Sequence, residues 1–413
     1  MARRRAASGI TKPRAGRVAG ARSRFTATSA VGVRQSHKPP TVPQTVEPEA
    51  LVATAWFDSG EEGGPYSATI RFTGRRTPTG GDSTARRTFA KDETIDTIVP
   101  GTGPVSITAW VYGLEPGEWT VNAELLGTPT GVRESPVRLH RAGREPIGLA
   151  AWSWRHWAVS TATAASLKTR WAPLAPLARQ PAVVPGIYPA LAIVGFLVAL
   201  GSQAAILARE HIDAGSSLAA SVIALVAGLI GAKLWYAILH PDESILRGGW
   251  AVDGFLVVAP LVAVVALQAF DLPAGAVLDA TAPGIFVAVA IGRGGCFLTG
   301  CCAGRCTNSR WGVWSSDRRV GARRLPAQLL ESGAGLAIGV ATLVFVTSDG
   351  LLVHGAVFMA SLATYALVRQ ALLRIRAEQR KVHRTLPMTA AATGLVVLGV
   401  GLASLHVGAL IVP

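Results

Sequence analysis

The chain has 413 residues, half of them hydrophobic and only 16% charged, with 40 Lys and Arg against 25 Asp and Glu for a net charge of +15. Apolar content on that scale, gathered into long runs, excludes an ordinary soluble globule and calls for a membrane. The positive balance comes without basic motifs interleaved with aromatics, so the partner it implies is an anionic lipid surface and no nucleic acid.

Residues 1–46 are rich in Arg, Ala, Ser and Pro and lack the apolar centre of a signal peptide, which predicts a disordered basic arm held weakly to lipid headgroups. Over 47–140 the pattern turns to alternation, as in Tyr66-Ser-Ala-Thr-Ile-Arg-Phe and Val105-Ser-Ile-Thr-Ala-Trp-Val-Tyr, the mark of strands with one buried face. Gly113-Leu-Glu-Pro-Gly-Glu-Trp-Thr-Val-Asn-Ala puts a Pro-Gly turn before such a strand and resembles the end of immunoglobulin-like or fibronectin-like modules. No His, Cys or carboxylate pair converges there, so the segment reads as an independent β-sandwich-like domain, dispensable for any membrane chemistry. Such a domain suits binding to a protein partner, which the sequence does not identify. Across 141–185, Trp152, Trp154, Trp157 and Trp171 alternate with Arg155, His156, Lys168, Arg170 and Arg179, a mixture that predicts an interfacial linker.

Seven apolar segments follow, at 186–208, 214–239, 251–270, 274–291, 325–346, 351–367 and 389–412, each near the length needed to cross a bilayer as a helix. The fold class is therefore an all-α polytopic membrane protein of about seven transmembrane helices, the membrane domain spanning 186–413, preceded by a small all-β immunoglobulin/fibronectin-like domain. Gly228, Gly231, Gly335 and Gly339 inside these runs let helices approach closely.

Ionisable groups at membrane depth are costly, which singles out Lys233, Asp253, Asp279, Arg293, Glu331, His354 and Arg369. Arg293 is followed by a loop holding Arg305, Arg310, Arg318, Arg319, Arg323 and Arg324. Guanidiniums gathered at one membrane face point to an anionic headgroup, because their planar fork grips phosphate bidentately. Cys296, Cys301, Cys302 and Cys306 form a local cluster whose spacing matches no strong metal pattern; small-residue packing competes there with metal or disulfide chemistry. No cofactor is called for.

The run Gly292-Arg-Gly-Gly-Cys-Phe-Leu-Thr-Gly-Cys-Cys-Ala-Gly, then Trp311-Gly and Arg324-Leu-Pro-Ala-Gln-Leu-Leu-Glu331, resembles the prolipoprotein diacylglyceryl transferases. Gly231-Ala-Lys-Leu-Trp-Tyr-Ala-Ile-Leu, Gly248-Gly-Trp-Ala-Val-Asp-Gly and Tyr365-Ala-Leu-Val-Arg369 with Arg376 downstream extend the resemblance in the same order. It implies a multi-pass protein of the bacterial cytoplasmic membrane that moves a diacylglyceryl group from phosphatidylglycerol to the lipobox cysteine of precursor proteins. By position it implies catalytic roles for Asp253, Arg293 and Arg369, and substrate binding by Lys233, Tyr236, Arg293, Gly295, Arg324, Gln328, Glu331, Tyr365 and Arg376. The family's histidine is replaced by Asp253, its asparagine by Cys296 and its glutamate by Cys301 or Cys302. Those replacements keep a second reading open, a non-catalytic or thiol/metal redox membrane protein whose β domain binds a partner. The face of the membrane is open too: the excess of Lys and Arg on the side of the β domain argues for the cytoplasm, and the resemblance argues for the outer face.

Overall fold

The computed structural model describes residues 49–377 apart from 78–87, 127–144, 152–159, 163, 179, 243–244, 246–247 and 349–352, with five further positions between 391 and 398. The arm at 1–46, Trp152, Trp154, Arg155, His156, Trp157, Arg179 and nearly all of the expected seventh helix lie outside the described residues.

The alternation after residue 47 forms long strands: β1 (Glu49–Asp58), β2 (Tyr66–Arg76), β3 (Thr88–Ile98), β4 (Pro104–Leu114) and β5 (Glu118–Leu126). β1 pairs antiparallel with β4, and β2 lies between β3 and β5. Strand β6 (Glu145–Ala151) joins both halves, pairing with β1 and with β5. Between the halves lies one core of Leu51, Ala53, Ile70, Phe72, Val105, Ile107, Trp119 and Val121, every other residue of its strand. Gly74 belongs to that packing, since a Cβ there would fall 2.0 Å from the Phe89 ring.

Two differences from the sequence reading concern the extent of this domain. First, strands continue past residue 140, where a linker was expected: β6 already lies there, and β7 (Ser160–Ala162), β8 (Ala164–Lys168) and β9 (Arg170–Trp171) pair with β6, β5 and β1, followed by a 3-10 turn at Ala172–Leu177. The segment expected as a linker thus supplies strands, because open edges of β1 and β5 offer backbone partners that an interfacial peptide would lack. Second, the sheet takes in two strands from the membrane domain, β10 (Val313–Ser316) and β11 (Val320–Arg324), with β11 paired to β4.

Six described helices are long and apolar enough to cross a membrane: α1 (Ile187–Arg209), α2 (Ala214–Leu239), α3 (Val252–Ala269), α4 (Ala274–Thr299), α5 (Ala327–Thr347) and α6 (Ala356–Leu373). Their outward faces carry Ile193, Leu197, Leu261, Val265 and Val344, all more than half exposed, as suits contact with lipid chains. Small residues set the closest approaches. A Cβ on Gly254 of α3 would fall 2.4 Å from the Gly231 carbonyl of α2, and one on Gly284 of α4 would meet Ser202 and the Ala199 backbone of α1.

Polar groups between helices are paired at two places. Gln203 of α1 is fully buried and donates to Ser221 of α2 and Thr281 of α4. Asp279, singled out as a functional candidate, instead caps a helix: its carboxylate accepts from the Gly355 and Phe358 amides at the start of α6, at 2.6 and 2.8 Å. The pairing of β11 with β4 puts the α4–α5 connection on the side of the membrane that holds the β domain. The ends of α2, α4 and α6 therefore share that side.

Candidate active site

Helix α4 runs eight residues beyond the span expected to end at 291, so Gly292-Arg-Gly-Gly-Cys-Phe-Leu-Thr forms its last two turns. Gly300, at φ +72°, ends the helix where a Cβ would meet the Ser316 carbonyl at 2.8 Å. These turns aim Arg293 at α5, and at Glu331 in particular. That carboxylate has no exposure to solvent and gathers four partners. Arg293 Nη2 lies 2.9 Å from Oε1, Arg369 Nη1 3.0 Å from Oε1, and Arg376 Nη2 2.5 Å from Oε2. The Tyr365 hydroxyl donates to Oε1 at 2.7 Å. Tyr365 and Arg369 meet it together because residues four apart on α6 stack on one face.

Three guanidiniums around one carboxylate give an excess of two positive charges here among the described residues. One turn before Glu331, Gln328 is buried; its Nε2 donates to the Cys301 carbonyl at 3.0 Å, and its Oε1 has no partner among the described residues. The arrangement is a cluster of excess positive charge with a spare hydrogen-bond acceptor beside it.

Thiols border this cluster. Cys301 N and Sγ both reach the Cys296 carbonyl, and the side chains of Cys296, Cys301 and Cys302 hydrogen-bond to one another. Those hydrogen bonds hold the Cys302 thiol below its ordinary range, with Arg376 and Arg293 acting in the same direction, and push Cys301 above it. Burial pushes Cys306 up. No group of three or more His, Cys, Asp or Glu side chains suited to a metal ion occurs among the described residues.

Other residues singled out from sequence make different contacts. Gly295 packs against Tyr188 and Leu191 of α1. Lys233 donates to the Gly248 carbonyl at 2.7 Å and lies 5.1 Å from the Trp250 ring centre, while Tyr236 stacks on His240. Asp253 is exposed in the first turn of α3 and forms no ion pair with the cluster among the described residues.

The arginine-rich loop, expected to grip a headgroup, spends its charges on structure. Arg324 is buried and braces the loop through the Gly304 and Val320 carbonyls and Asp317. Arg318 donates to the Thr299 carbonyl, Arg323 to Gly312, and Arg305 to Arg376. Arg310 stacks on Trp311. Sequence reasoning passed over Asp317, which holds Arg324 at 2.7 Å; its place beside the Arg318-Arg319 turn was the only available sign.

Residues 182–407, more than half of the chain, match the family described as prolipoprotein diacylglyceryl transferase. Similar proteins include a phosphatidylglycerol–prolipoprotein diacylglyceryl transferase from Lactobacillus delbrueckii subsp. bulgaricus, 33% identical over 159 residues, covering 34% of this chain and 57% of the relative. One of the same name from Dehalococcoides mccartyi is 32% identical over 101 residues, covering 23% and 39%. The chain thus spans little more than half the length of the first of these relatives and well under half of the second. The match begins where the β domain ends and takes in every residue around Glu331. The membrane part of this chain belongs to the prolipoprotein diacylglyceryl transferase family.

Proposed function

We propose that the protein transfers a diacylglyceryl group from phosphatidylglycerol to the thiol of a lipobox cysteine in precursor proteins, in a bacterial cytoplasmic membrane. The observation that carries this reading is the convergence of Arg293, Arg369 and Arg376 on Glu331 with charge to spare. In the reaction a carbon–sulfur bond forms at the glyceryl carbon, the carbon–oxygen bond to phosphate breaks, and glycerol phosphate leaves. Negative charge then grows on phosphate oxygens, where preorganised guanidiniums stabilise the transition state. The free Oε1 of Gln328 is suited to accept a hydroxyl of the glycerol headgroup. The acceptor thiol must lose its proton to a base, and Asp253, at the end of α3 nearest the β domain, is the carboxylate we assign to it.

A labelled-lipid assay in nanodiscs, following transfer from phosphatidylglycerol to a lipobox peptide, tests the reading. Rescue of cells depleted of their own transferase is the result expected, and a stably inserted chain that fails both assays overturns it. The cluster of free thiols at Cys296, Cys301 and Cys302 favours a second reading, thiol redox chemistry on the same fold. In that case Cys→Ser variants lose function and Arg→Ala variants keep it.

A further inference from the structure

Arg376 lies three residues beyond the last residue of α6, where helical register no longer fixes a side chain. Yet it makes the shortest of the three contacts to Glu331. What places it is a backbone ladder that starts in the β domain. Strand β4 pairs with β11 through Ile107–Val320 and Ser106–Gly321, and the Thr108 amide donates to the Arg319 carbonyl at 2.8 Å. Farther along the same edge of β11, opposite β10, the Cys306–Arg324 bridge continues the ladder, with Thr307 N to Arg323 O at 2.9 Å and Leu325 N to Arg305 O at 3.0 Å. The next rung is Gly304–Arg376, flanked by Arg305 N to Ile375 O at 2.9 Å and Ala377 N to Ala303 O at 3.0 Å.

The junction of β4 and β11 is locked from both faces. Trp314 stacks on Trp56 of β1, ring centres 5.2 Å apart and 13° from parallel, and its indole N–H donates to the Pro104 carbonyl at 2.8 Å. Arg319 reaches Glu93 at 3.3 Å and the Thr94 carbonyl of β3. Gly321 leaves no room for error: a Cβ there would fall 2.4 Å from Ser106 Oγ and 2.6 Å from the Trp314 ring. Hydrogen-bonded strands keep a fixed spacing, so moving β11 moves the rungs beyond it.

We infer that the β domain is part of the working site, with Trp314 and Gly321 as positioning residues that hold Arg376 against Glu331 through this ladder. The kinetic half of the test rests on the proposed transfer reaction; the structural half does not. In the full-length protein in nanodiscs, hydrogen exchange is followed at the Arg305, Leu325 and Ala377 amides, together with kcat and KM for phosphatidylglycerol. Gly321→Val and Trp314→Ala should speed exchange at those three amides and leave the helices protected. Each should lower kcat roughly ten- to a hundredfold, the scale expected when a catalytic group is displaced by up to an ångström. Trp314→Phe, which keeps a stacked ring, should retain most activity and preserves the test if Gly321→Val fails to fold. Arg71→Ala, on the exposed β2–β3 face, should change nothing. Combined with Arg376→Ala, Trp314→Ala should cost no further activity, because both act through one group. Unchanged exchange at the three amides, or losses that multiply in the double variant, overturn the inference. A wild-type chain with no transfer activity sinks the proposed reaction and leaves the exchange result to decide the ladder.

Discussion

Arg293 Nη2 lies 2.9 Å from Glu331 Oε1, an ion pair between the last turns of α4 and the start of α5 around a carboxylate that solvent does not reach. A buried charge is tolerated only when paired, and Glu331 is also the shared counter-charge of Arg369 and Arg376. Glu331→Gln would keep the shape and leave three guanidiniums facing one another. The expected result is a loss of about 3–5 kcal/mol in stability, read as a lower melting temperature in detergent, together with loss of transfer. A variant as stable as the wild type would show that the arginines find another partner.

The arginines and the cysteines should differ sharply. Arg293→Ala and Arg369→Ala should each lower transfer by about 10²–10³, the usual cost of removing one preorganised donor to a developing charge. Cys302→Ser should have a much smaller effect, since its thiol borders the cluster without bonding to Glu331. Arg→Lys at either position should recover part of the activity, because an ammonium keeps the charge and loses the fork. Initial rates with labelled phosphatidylglycerol separate these outcomes, and the reverse order would favour the redox reading.

Asp253→Asn should slow transfer if the carboxylate takes the acceptor's proton. The sign of the pH effect follows from that role. Raising the pH ionises more of the acceptor thiol beforehand, so the variant should recover part of its deficit as pH rises toward the thiol's ordinary range. A deficit that stays constant across pH 6–9 (about the window in which a thiol titrates) would move the base elsewhere.

Asp279 offers the contrasting case of a buried carboxylate with a structural task. Its two bonds to the Gly355 and Phe358 amides satisfy the first turn of α6 and suit the positive end of the helix. Asp279→Asn should therefore cost about 1–2 kcal/mol, the scale of a lost cap, visible in thermal unfolding. Transfer per folded molecule should stay near the wild-type value.

Runs of apolar residues long enough to span a bilayer, and alternation ahead of them, were readable along the chain because both depend on local periodicity. So was the family, since Gly292–Gly304 and the Arg324–Glu331 segment carry their residues in linear order. Arg293 and Arg369 could be singled out because a guanidinium at membrane depth is expensive wherever it sits. Their meeting on one Glu331 oxygen could not, being a matter of how α4, α5 and α6 pack. The loop arginines show the opposite limit: their density suggested a headgroup grip, and tertiary contacts use them for carbonyls, Asp317 and Glu93. Strands β6 to β9 look like a linker in the sequence because short strands have little pattern of their own and form where an open edge supplies their hydrogen bonds. The pairing of β11 with β4 lay furthest from view, since it joins Gly321 to Ser106 across more than 200 residues, and backbone hydrogen bonds over such a distance leave no mark on residue type.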